Sequence, residues 1–152
     1  MIEVEIEGVD WTDAVDDVEA VVERAAVAAL ADRVGGIVVL LTGDEAVREL
    51  NARFRDKDRP TNVLSFPAAP MPGVDPVPLG DIVLAYGVCA GEAQAQGKRL
   101  EDHLTHLVVH GVLHLLGRDH EIEAEAEAME AEERVILARL GVSDPYTLPH
   151  DG

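Results

Sequence analysis

One cysteine stands among 152 residues, and that scarcity removes two options at once. Cys89 has no partner for an internal disulfide, and a thiolate cluster for a metal ion is excluded, which leaves histidine and carboxylate as ligand types. No run of about 18 uninterrupted apolar residues occurs, so no membrane span is expected. Met1 to Glu7 hold neither a basic segment nor an apolar signal core, and a cytoplasmic location is expected. Basic residues are also few: 12 Lys and Arg stand against 30 Asp and Glu, a net charge of −18. Taken globally, that sign disfavours a phosphate-bearing partner. The distribution is uneven, however. Arg48, Arg53, Arg55, Lys57 and Arg59 make a basic island, while acids crowd 3–23 and 121–133, where solvated helix faces account for most of them.

What is present suits one domain over 1–152, with 47% hydrophobic residues to fill its core and 142–152 as a tail. Ile2, Val4 and Ile6 alternate with Glu3, Glu5 and Glu7, the period of a half-buried strand. Thr12 to about Arg33 reads as an amphipathic helix capped by Thr12 or Asp13, with Val15, Val18, Val22, Ala25, Ala26 and Ala29 as its apolar stripe. Gly35-Gly36 breaks the chain before a short buried strand, Ile37 to Leu41. Thr42-Gly43-Asp44-Glu45 fits a capping box opening a helix to about Phe54. Arg55 to Pro60 is a charged loop. Strands at Asn62–Pro67 and Leu79–Tyr86 flank a proline-rich stretch, 67–78, and helices at Val88–Gln96, Leu100–Leu116 and Ile122–Leu140 follow. The expected fold is α+β: a small four-stranded sheet packed with helices, the apolar 103–116 helix buried at its centre.

That central helix carries the chemistry. His110 and His114, four apart, project from one face and can grip a single ion; Gly117 can stop the helix; His120 then arrives to complete a three-histidine shell. Three protein ligands leave one position open for water, the pattern of a catalytic rather than a structural zinc site. Three imidazoles without thiolate suit zinc best, with nickel or another divalent ion as alternatives. His103 and His106 lie near the same stripe and read first as structural groups, with supports to the ligands or alternative ligands as the other readings; His150 reads as solvated. The spacing His-x3-His-x2-Gly-x2-His is shared with metzincin proteases, but their general-base Glu is replaced here by Gly111. A metallopeptidase therefore lacks its base.

The run His110-Gly111-Val112-Leu113-His114-Leu115-Leu116-Gly117-Arg118-Asp119-His120 resembles the YbeY family of bacterial endoribonucleases. So do residues 55–67, from Arg55-Asp56-Lys57 through Leu64-Ser65-Phe66-Pro67, and Leu79-Gly80-Asp81-Ile82-Val83. The resemblance implies a metalloprotein acting on single-stranded RNA, in maturation of small-subunit ribosomal RNA and in ribosome quality control. It makes His110, His114 and His120 the zinc ligands and Arg55 the catalytic arginine, although on residues alone Arg55 reads as a surface side chain. A guanidinium in that role would offer paired hydrogen bonds to phosphate. Lys57 and Arg59 read as phosphate contacts or solvated charges, and Asn62 as a weaker RNA contact. Asp119 either supports a ligand imidazole or caps the next helix. Asp81 reads as structural. Besides a metallopeptidase, one rival reading remains: a ribosome-associated protein, docked on basic ribosomal proteins, whose zinc is structural.

Overall fold

Alternation along the chain decides the strands. In β1 (Ile2–Ile6) the isoleucines and valine lean towards the core while Glu3 and Glu5 are exposed. In β2 (Gly36–Thr42) Ile37, Val39 and Leu41 are buried. The computed structural model describes residues 1–69, 73, 77–117 and 123–142, and continues with β3 (Val63–Pro67) and β4 (Pro78–Ala85). The sheet order is β1-β2-β4-β3, with β1, β2 and β4 parallel and β3 antiparallel to β4. Helices are α1 (Asp10–Ala14), α2 (Val18–Leu30), α3 (Asp44–Arg55), α4 (Tyr86–Gln96), α5 (Leu100–Leu115) and α6 (Glu123–Arg139). This is the expected single-domain α+β arrangement.

Both faces of the sheet are covered. On one, Ile37, Val39, Leu41, Ile82 and Leu84 join the apolar stripe of α2 and the buried side of α5 in the main core. On the other, Val83, Ala85 and Leu64 meet Val47 of α3 in a smaller cluster. Burying each valine- or leucine-sized side chain contributes roughly 1.5–3 kcal/mol. The Leu79-Gly80-Asp81 segment has a steric cause. Gly80 takes φ +145, and a Cβ there would strike the Phe66 carbonyl and come within 2.7 Å of Leu115. Only glycine lets β3, β4 and the end of α5 close together at that point.

Three local expectations change. The helix expected over Thr12 to Arg33 is two helices, because Trp11 is anchored in the core by its indole N–H donating to the Thr42 carbonyl at 3.0 Å. The chain then turns through Asp17, at φ 51, before α2 begins. Neither Thr12 nor Asp13 caps: both lie inside α1, and the Thr12 hydroxyl donates back to the Val9 carbonyl. The capping box also fails. Thr42 ends β2 and its hydroxyl donates across to Glu7 at 2.8 Å, leaving Gly43 as the N-cap of α3 without a side-chain bond. Of the expected tail, 142–152, everything from 143 onward lies outside the described residues, as does much of the proline-rich stretch.

Candidate metal centre

Helix α5 is held from below. Leu104, Val108, Val112 and Leu113 are buried, and Gly111 rests on Ile82 of β4, where a Cβ would approach to 3.0–3.2 Å. The helix ends as expected, with Gly117 at φ 90 and its N–H donating to the His114 carbonyl at 3.0 Å. A rigid rod with one side pressed on the sheet presents the rest of its circumference in fixed directions. Along one line of that surface stand His103, His106, His110 and His114.

Their rings follow one another at centroid separations of 6.2, 6.3 and 4.7 Å, the last between His110 and His114. Exposure rises along the line, from 4% at His103 through 13% at His106 to 27% at His110. The closest ring pair is therefore partly open to solvent, and it is the i, i+4 pair that the spacing marks. As a donor set it fits a borderline divalent ion such as zinc. The third expected ligand, His120, lies outside the described residues, as do Asp119 and His150.

The pair has a neighbour that the sequence reading passed over. Glu133 of α6 is fully buried, and its two oxygens are divided: Oε1 lies 3.0 Å from His106 Nε2 and Oε2 3.2 Å from His110 Nδ1. His106, His110 and Glu133 each bring a ligand atom within 4.8 Å of the others, so this group could also hold a cation. The acids of α6 are thus not all a solvated face. A signal was present: Met129, Glu133, Ile136 and Leu137 share one helical stripe, and the other three are apolar and buried. A carboxylate in such a stripe calls for a buried partner.

His103 belongs to a separate chain of contacts. Its Nε2 lies 2.9 Å from Glu92 of α4, and Glu92 accepts from the Asn62 amide at 3.0 Å. Burial holds the His103 imidazole below its ordinary value, while Glu92 pulls the other way. The Asn62 side chain also accepts from the Val63 N–H at 2.6 Å, which holds it half-buried just before β3. Cys89, fully buried, directs its thiol at the Asn62 carbonyl at 3.5 Å, and burial raises its pKa.

Arg55, the last residue of α3, is exposed and held against β3: its guanidinium donates to the Ser65 carbonyl at 3.0 Å and lies 5.8 Å from the Phe66 ring centroid. No hydrogen bond or ion pair links it to the histidines among the described residues. Lys57 and Arg59 are exposed in the following loop. Arg48 is engaged with Glu45 and Asp58.

A family model described as endoribonuclease YbeY matches residues 2–141. A protein of that name from Azorhizobium caulinodans is 51% identical over 157 residues, with 99% of each chain covered. Another, from Chelativorans sp., is 53% identical over 143 residues, covering 90% of this chain and 87% of the relative. Among solved structures, the solution structure of a Thermotoga maritima protein superposes with a TM-score of 0.57 at 26% identity, covering 97% of this chain and all of the other.

Proposed function

Since this chain belongs to the YbeY family of endoribonucleases, we propose that it is a zinc-dependent, single-strand-specific endoribonuclease acting in maturation of small-subunit ribosomal RNA and in ribosome quality control. One observation carries the metal half of this reading: His110 and His114 stand adjacent and partly exposed on a helix locked to the sheet. With His120 they would hold the ion, which supplies Lewis-acid polarisation and water activation near neutral pH when bound. Arg55, exposed at the end of α3, would pair with a phosphodiester oxygen and offset its charge as the bond breaks. Lys57 and Arg59 would hold flanking phosphates. The metallopeptidase reading is disfavoured, because the position of a general base is taken by Gly111, which faces Ile82 and not the histidine stripe.

The acidity of the molecule favours one second reading, a ribosome-associated protein with a structural zinc. A single experiment separates the two. Wild type, His114→Ala and Arg55→Ala are incubated with single-stranded RNA, and cleavage and bound metal are measured in each. Cleavage lost in both variants, with metal lost only from His114→Ala, supports the nuclease. Equal cleavage in all three identifies a contaminant and favours the binding protein.

A further inference from the structure

A carboxylate buried in an apolar stripe is retained only against a specific partner, and among the described residues Glu133 faces two on the histidine line. An ionised carboxylate only accepts, so each imidazole nitrogen facing it carries the hydrogen. The two rings face it with different atoms. His106 turns Nε2 inward, and its Nδ1 is buried as well. His110 turns Nδ1 inward, so a neutral ring in that tautomer has its lone pair on Nε2. The same ring is the more exposed of the two and lies 4.7 Å from His114. One carboxylate thus sorts two histidines of one helix: it withdraws His106 into the interior and orients His110 outward.

We propose that Glu133 is a positioning residue for the metal, fixing the tautomer and ring direction of His110 so that Nε2 is presented beside His114. The proposal rests on the reading of His110 and His114 as ligands. It separates Glu133 from the alternative in which the ion sits between His106, His110 and Glu133 themselves. There the carboxylate would be a ligand and His106 indispensable. Outer carboxylates of this kind typically change metal affinity 10- to 100-fold when removed, because the ligand ring loses both its orientation and part of its basicity.

The test uses zinc affinity and ring tautomers, with no RNA. Zinc is titrated into the metal-free chain against a chromophoric chelator, for wild type, Glu133→Gln, His106→Asn and His114→Ala. Glutamine offers one acceptor and one donor where glutamate offers two acceptors, so one of the two rings must reverse. We expect Glu133→Gln to weaken zinc about 10- to 100-fold and His106→Asn to stay within a few-fold of wild type. Unchanged affinity in Glu133→Gln overturns the proposal, as does loss of stoichiometric zinc in His106→Asn. Should Glu133→Gln fail to fold, long-range nitrogen–proton correlation spectra of the metal-free wild type decide alone. Hydrogen on Nδ1 of His110 supports the proposal, and hydrogen on Nε2 overturns it. His114→Ala is the control for the reading beneath: if it binds zinc as wild type does, the ligand assignment fails and the proposal falls with it.

Discussion

The Cβ that Gly111 lacks would lie 3.0–3.2 Å from the Ile82 side chain, so whatever replaced it would point into the sheet. Gly111→Glu should therefore destabilise the fold by at least about 3 kcal/mol, from overpacking together with burial of a charge. It should also create no peptidase activity. A urea midpoint equal to that of wild type would contradict this packing account. Arg55 lies at the other extreme, exposed, with one hydrogen bond among the described residues, to the Ser65 carbonyl. Arg55→Ala should change stability by no more than about 0.5 kcal/mol while cutting RNA cleavage about 10²- to 10³-fold, with bound metal unchanged. Loss of metal from that variant would make the arginine structural. Cys89 gives a third residue-scale test. Burial, then the nearby Glu92 and Asp44 carboxylates, raise its pKa. A thiol reagent such as dithionitrobenzoate should react with it only at the rate of unfolding; rapid stoichiometric reaction in the native state would refute its burial.

At the scale of elements, the contacts that locate α5 were only half legible. The period of two in β1 and the apolar content of α5 are local signals, and both elements formed where those signals placed them. The ends of elements depended on distant partners instead. Thr42 carries the chemistry of a cap, yet Glu7, 35 residues away, takes its hydroxyl. Glu133 was half legible in the same way: the apolar stripe of α6 marks it as buried, but the imidazoles it faces sit on α5, far from it in sequence. His103 shows the energetic side of such a link, joining α5 to α4 through Glu92 and to β3 through Asn62. Its imidazole titrates below the ordinary 6.5 in the fold because burial resists the charge. As pH falls below 6.5 the unfolded chain takes up that proton before the folded one does. Stability should therefore decline from pH 7.5 to 5.5, with its full His103 contribution present above 6.5. Urea denaturation in chelator, comparing wild type with His103→Gln, checks this. A steeper decline in the variant would reverse the sign assigned to His103.

For the molecule as a whole, charge sets a bound on how an RNA could be held. The net charge is −18, and Glu3 and Glu5 stand exposed on the edge strand β1 with Glu7 just beyond it; the interaction with the Glu3 carboxyl, then the nearby Asp81 and Glu7, raise the pKa of Glu5. Those carboxylates guard the edge against strand addition and repel phosphate from that side. Arg48 is already engaged with Glu45 and Asp58. Within the basic island this leaves Arg53, Arg55, Lys57 and Arg59, all exposed and outside any ion pair among the described residues. Each phosphate neutralised on a single strand contributes a salt slope of about −0.7, so four contacts set a limit near about −3 in log K against log salt. Binding of a single-stranded oligonucleotide, followed by fluorescence anisotropy between low and moderate salt, should give a slope no steeper than that. It should flatten by roughly one contact in Lys57→Ala. A markedly steeper slope would mean that RNA reaches basic residues beyond this island, and that the acidic surface excludes less of the molecule than its charge implies.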